Sequence, residues 1–388
     1  MTAAWRRPGF LLFAAVAACG GSVGPSVPEP SSGFRPEDRV TVGDFSQVLA
    51  IASTSDRVYV VYPSAVAIRL PLERRWDVPR SPDEVGELRG VTAAFADPVD
   101  RTLWMIAGAQ WIHYDPFANR WDRGALPGIA TAIVTDQADP GTIWFRTVSG
   151  WANMPRIGGV AVPSPAPRRP VPTPTVNDAL RELPQLRGIL ARVVTGPLLR
   201  QGTLTAAAPD PLGEGWYLGT STRGLVFFDR TASDATPIPL GLPGDVIGAL
   251  AATSEGIWVE TDADPYHPAG LTLLPDDLGD ARQILGSPSL GLPFTQAAYL
   301  AVIHDTLWLG TDQGAVRVTP VDQNVQRVGL SRGLTDQRTF ALAAWGTTIV
   351  SATGHGIAAV RGDSGAVPLY PSFNRPTYAL ATRRDTLW

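Results

Sequence analysis

The residues with any capacity for chemistry are few and scattered. Glu260-Thr261-Asp262-Ala263-Asp264-Pro265-Tyr266-His267 places three carboxylates and an imidazole within one short run. Hard cations take several oxygen ligands, so a calcium loop is one reading of it. The run lacks the spaced acidic pattern and the bidentate Glu of such loops, and a solvated Asp-rich turn fits it better. His113, His267, His304 and His355 fall in different parts of the chain without metal-ligand spacing. All 32 basic residues are Arg, so a P-loop lysine and a Schiff-base lysine are both excluded. The single Cys excludes a disulfide framework and multi-cysteine zinc. A net charge of −4 argues against nucleic acid, because neutralising phosphates needs clustered positive charge. No nucleophile elbow is present. The expectation is a chain without catalytic residues, without a metal and without a cofactor.

Residues 1–18 read as an export signal. Arg6 and Arg7 precede the short apolar core Phe10-Leu11-Leu12-Phe13-Ala14-Ala15-Val16, which falls short of the ~20 residues a membrane span needs. The core ends in Val16-Ala17-Ala18-Cys19, which resembles a bacterial lipoprotein box. That resemblance implies cleavage before Cys19 and a diacylglyceryl anchor on its sulfur. Gly20 follows rather than Asp, which by the same resemblance favours the outer membrane, facing either the periplasm or the surface. Residues 19–45 then form a tether, Gly-, Ser- and Pro-rich at first.

What remains must come from elements that repeat. A strand carrying an aromatic, followed by a turn with Gly and a second apolar strand, recurs at Tyr59, Trp104, Trp144, Tyr217, Trp258, Trp308, Ile349 and Trp388, with Ile349 standing in for the aromatic. Six of the seven intervals lie between 39 and 50 residues, the period of a propeller blade; the third is lengthened by an insertion. Each unit reads as four short strands, over about 46–80, 91–123, 130–162, 203–239, 246–285, 297–330 and 339–370. Alternation at period two with Gly, Pro and Asp at the boundaries opposes a helical solenoid. A lone four-stranded sheet leaves both faces wet, and radial stacking covers them. The predicted fold is therefore all-β: one β-propeller over 46–388 with seven complete blades, or eight if the strands starting at Thr377–Thr382 complete one. The chain either continues past Trp388 or closes its ring by pairing those strands with one near Arg39–Val42.

Trp308-Leu309-Gly310-Thr311-Asp312-Gln313-Gly314 followed by Ala315-Val316-Arg317-Val318 resembles the two-component regulator propeller repeat. Tyr217-Leu218-Gly219-Thr220-Ser221 with Gly224-Leu225-Val226-Phe227-Phe228 matches nearly as well, and Trp258-Val259-Glu260-Thr261-Asp262 in part. The resemblance implies a propeller and says nothing of chemistry.

Residues 163–202 interrupt the repeats. Six prolines between Pro163 and Pro174 predict an extended, partly mobile run. A helical pattern follows at Val176, Leu180, Leu183, Leu186, Leu190 and Val194; Thr175 or Asn177 would cap it, and Pro184 would kink or split it. Arg181, Arg187 and Arg192 make it basic, either as a helix packed on the propeller's rim or as a docking element for a partner. The reading is a non-catalytic envelope lipoprotein whose propeller is a scaffold for a protein or glycan. The alternatives are an extracytoplasmic sensor propeller of a signalling system and a carbohydrate-active enzyme of the propeller type.

Overall fold

Each short apolar strand finds its first partner in the strand that follows it, because the intervening turns are too tight for any other pairing. The first sheet joins Ala50–Ser53, Val58–Val61, Val66–Leu70 and Arg75–Arg80 as an antiparallel meander. The second joins Val91–Ala96, Leu103–Ala107, Gln110–Asp115 and Arg120–Ala125. The third has five strands, Val162–Ser164, Gly150–Pro155, Asp139–Thr147, Ala130–Asp136 and Pro170–Val171 in spatial order. The fourth runs from Leu204 to Ile238, the fifth from Ile247 to Leu285, the sixth from Ala297 to Val328 and the seventh from Thr339 to Pro368, each with four strands in chain order. A two-stranded hairpin, Thr382–Arg383 with Thr386–Leu387, follows. This computed structural model describes residues 45–388 except 81, 83–85, 197, 276–280, 286–292, 304–305, 320–323, 362–364, 373 and 384–385. Cys19, the signal and tether region up to residue 44, and His304 lie outside the described residues.

One local device recurs at the hairpins. Thr311 donates its Oγ1 hydrogen to the Gly314 carbonyl at 2.8 Å and accepts from the Gln313 N–H at 3.1 Å. Thr353 does the same with Gly356 and His355, and Thr220 with Gly224 and Arg223. The threonine thus satisfies the turn's backbone groups, and the glycine supplies the positive φ the turn needs, +117° at Gly314 and +99° at Gly356. This is the physical content of the Gly-Thr motif read in the sequence.

The sheets stack face to face through their aromatics. Tyr59, Leu103, Met105 and Tyr114 fill the space between the first and second sheets; Trp104, Ile143 and Phe145 fill that between second and third. Trp258 and Leu307 lie between fifth and sixth, and Trp308 and Leu342 between sixth and seventh. Burying one such side chain contributes about 1.5–3 kcal/mol, so each interface is held by many comparable terms. The outer strands of the first two sheets repeat the same trick: Trp76 and Trp121 turn inward, while Arg75–Asp77 and Arg120–Asp122 pair on the outer face.

The order of packing departs from that expected of a ring. The fourth sheet lies against the first: Val48 donates to the Thr220 carbonyl at 2.9 Å, and Thr205 Oγ1 to the Val48 carbonyl at 2.6 Å. Ile51, Val58 and Trp76 share one cluster with Ala208, Tyr217 and Leu225. The described packing therefore reads third–second–first–fourth and fifth–sixth–seventh, with Leu274 of the fifth sheet against the first–fourth cluster, rather than one ring in chain order.

The insertion explains the departure. It forms two helices, α1 (Val176–Glu182) and α2 (Pro184–Val194), the first capped by Thr175 in a reciprocal box with Asp178. Pro184 stands at the first position of α2, where its missing N–H costs nothing. Ala179, Leu183, Leu186 and Val193 pack on Trp216, Leu218, Val226 and Phe228 of the fourth sheet. The helices thus cover the face that a neighbouring sheet would otherwise take. The Pro-rich run is pinned: Val162–Ser164 pairs with one edge of the third sheet and Pro170–Val171 with the other. The Asp136 carboxylate fixes the return by accepting the N–H groups of Arg168 and Arg169 at 2.7 and 2.9 Å.

Candidate functional site

Where α2 ends, the chain passes through the loop 195–202 into the fourth sheet, and later through Pro237–Pro243 into the fifth. Those segments, with the 221–224 hairpin and the 266–268 loop, enclose a cleft of about 690 Å³. Its wall is mostly apolar, with Phe45, Leu198, Ile238, Leu240 and Leu285. Three arginines, Arg192, Arg200 and Arg223, line it beside neutral polar side chains such as Thr195, Thr222 and Gln283.

Each arginine is placed by a specific contact. Arg223 donates Nη1–H to the Arg192 carbonyl at 2.6 Å, so the last turn of α2 holds it. Burial, and then the charge of Arg192, push its guanidinium below its ordinary range, although it stays charged. Arg200 donates to the Tyr266 carbonyl at 3.3 Å, with its guanidinium carbon 5.4 Å from the centre of the Tyr266 ring. Arg192 forms an ion pair with Asp234. The loop carrying Tyr266 is itself locked. Asp264 accepts from the N–H groups of Tyr266 and His267 at 2.6 and 2.8 Å, and its Oδ2 lies 2.8 Å from His267 Nδ1. Burial opposes ionisation of Asp264, but these bonds outweigh it and hold the carboxyl below its usual range.

The three arginines singled out in the sequence separate. Arg192 lines the cleft; Arg181 pairs with Asp178 on α1 at 2.5 Å; Arg187 is exposed on α2. Sequence reasoning missed Arg200 and Arg223, which belong to a loop and a hairpin without a motif of their own. The positive, Pro-flanked stretch from Arg187 to Arg200 was the available signal, read only as a helix face.

The acidic run 260–267 is not one solvated turn. Asp264 and His267 form the loop just described, whereas Glu260 is fully buried, with both carboxylate oxygens lacking a hydrogen-bond partner. Burial first, then the charges of Asp262 and Asp312, push its carboxyl up to about 9, so Glu260 is a neutral acid at neutral pH. Among the described residues no group of three or more His, Cys, Asp or Glu is placed to hold a metal. His113 lies half-buried against Trp104, its ring centre 4.2 Å away, and burial lowers its pKa despite Asp122 at 3.5 Å. His355 pairs with Asp336 at 2.6 Å on the seventh sheet. These two histidines belong to different sheets. Among the described residues no helix is long and apolar enough to cross a membrane.

No family model matches the chain, and no curated protein matches it. Among solved structures it is similar to the computationally designed Ika8 protein, at 13% identity over 90% of this chain and 94% of that one, with a TM-score of 0.30. It is also similar to PorZ, a bacterial surface component of the type-IX secretion system of Porphyromonas gingivalis, at 11% identity and a TM-score of 0.29, covering 86% of this chain and 54% of that one. A third is the extracellular domain of a hybrid two component system from B. thetaiotaomicron, at 11% identity and a TM-score of 0.25, covering 87% of this chain and 48% of that one. The chain spans about half the length of the latter two. Likenesses this distant transfer no property to it.

Proposed function

We propose that this protein is a non-catalytic, exported binding module whose repeated sheets are propeller-type blades, interrupted by the 163–202 insertion. Cys19 carries the lipid anchor, in the outer membrane, and the tether, which ends before the packed Phe45, holds the blades off the surface. The module is a scaffold for an envelope protein or glycan. The observation that carries this reading is the cleft at the junction of α2 with the fourth and fifth sheets. It combines an apolar wall with positioned donors, the usual make-up of a recognition site. A second reading, a ligand-binding sensor propeller, is favoured by the cleft's size, which suits a small ligand better than a flat protein surface.

The test compares the intact chain with Ala191→Trp, which places an indole on the cleft's exposed helical wall. Glycan and protein fractions of the source envelope are passed over both. Stoichiometric retention of one component by the wild type, lost in the variant, is the expected result. Turnover of polysaccharide or ester by lipid-free protein would overturn the non-catalytic assignment. Cys19→Ser should release the protein from membranes; continued membrane retention would contradict the anchor.

A further inference from the structure

The chain carries a net charge of −4, yet no Asp or Glu lines the cleft among the described residues, while three arginines do. Arg192 is matched by Asp234. Arg200 and Arg223 have no carboxylate partner among the described residues; each has one hydrogen bond, to a backbone carbonyl of the cleft's own wall. A guanidinium has five N–H donors, so both are oriented and largely unspent. Arg223 is partly desolvated and stands beside the charge of Arg192, an arrangement that a bound anion relieves. The remaining wall includes Leu198, Ile238 and Leu285, which keep part of their apolar surface open, beside neutral polar groups such as Ser46, Thr195 and Thr222. An inorganic anion would leave that apolar surface wet, and an uncharged apolar ligand would leave both guanidiniums unmatched.

We propose that the cleft binds a small amphipathic anion, its carboxylate or phosphate head on Arg200 and Arg223 and its apolar body along Leu198, Ile238 and Leu285. This rests on the second reading, of the cleft as a small-ligand site, and names its ligand class. Arginine is suited to either head because its planar fork donates two parallel hydrogen bonds. The apolar body sets the orientation by burying methylenes that the wall would otherwise leave exposed.

The probes are octanoate, octyl phosphate, octanol and acetate, titrated calorimetrically into the intact chain. One octyl anion should bind at a single saturable site, about tenfold or more tighter than octanol and acetate, since a charge-assisted hydrogen bond is worth that much or more. Which octyl anion binds tighter distinguishes a carboxylate from a phosphate source. Arg200→Gln with Arg223→Gln should weaken binding about tenfold or more, while Arg181→Gln with Arg187→Gln leaves it unchanged. The proposal is overturned if octanol binds as tightly as the anions, if the Arg200 and Arg223 pair can be replaced without effect, or if neither octyl anion binds. Octanol binding as tight as that of the anions and abolished by Ala191→Trp would overturn the anion yet leave the cleft a binding site. The retention experiment with envelope fractions decides the broader reading on its own.

Discussion

The carboxyl of Glu260 occupies the space in which a side chain on Gly248 would sit. A Cβ at 248 would clash with Glu260 Oε2 and lie 2.8 Å from the Ala297 carbonyl oxygen. The repeat places Gly219 and Gly310 at the positions equivalent to Glu260, so the fifth unit has exchanged a small residue for an acid and made room opposite it. A neutral buried acid has a signed consequence. The folded pKa of about 9 stands above the ordinary 4.5, so the native state holds a proton that the unfolded chain has lost. Stability should therefore be greatest near pH 4.5, as far as this group is concerned, and fall as pH rises towards 9. Urea midpoints at pH 5, 7 and 8 measure the slope; Glu260→Gln should flatten it and be the more stable protein at pH 8. Asp262 and Asp312 set the opposing charge, and an unchanged slope in the variant would contradict the assignment to Glu260.

Asp97 and Arg156 join the second and third sheets through a buried ion pair at 2.6 Å, with side-chain exposures of 0% and 8%. Arg156→Met leaves the Asp97 charge uncompensated and should cost about 3–5 kcal/mol. Asp97→Leu combined with Arg156→Met should recover most of that. Chemical denaturation of these two variants and of Asp97→Leu alone completes the cycle.

Asp136 is the anchor of the Pro-rich return. Backbone N–H groups of Ala138, Arg168 and Arg169 bond to its carboxylate and hold its pKa below the usual range, against the cost of burial. With a depressed folded pKa, the anchoring is complete above the ordinary carboxylate range and is lost as pH falls through the lower folded value. Asp136→Ala should therefore speed trypsin cleavage at the Arg168–Arg169 bond at neutral pH, with cleavage elsewhere unchanged.

Much of the architecture was legible because period-two alternation and a 39–50-residue spacing are dictated by sheet geometry and unit size. Each of the seven stretches read from the sequence holds the body of one sheet, although the second sheet runs on to Ala125 and the third extends into the insertion through Val162–Ser164 and Pro170–Val171; Thr175 and Pro184 mark the helix starts as local chemistry requires. The packing of the fourth sheet on the first was not legible. It depends on Leu186 and Val193 covering Trp216 and Phe228, a competition between faces of similar hydrophobicity that no spacing encodes. The cleft was half legible for the same reason: Arg192 belongs to a periodic helix, whereas Arg200 and Arg223 converge on it from a loop and a hairpin. Glu260 was read as solvated because its neighbours are polar, although its strand position faces the next sheet.

The helical cover itself is testable. Leu186 is fully buried between α2 and the fourth sheet. Leu186→Ala should cost about 2–5 kcal/mol. Trp216 emission should shift to the red in Leu186→Asp if the helices lift away; an unshifted spectrum would mean that another element covers that face.

The most direct measurement of the binding account is arginine modification by phenylglyoxal, followed residue by residue by peptide mass spectrometry with and without the octyl anion that binds. Protection of Arg200 and Arg223, with Arg181 and Arg187 reacting at unchanged rates, is the predicted result. Equal rates at all four with ligand present, or protection confined to the outer helical arginines, would contradict it.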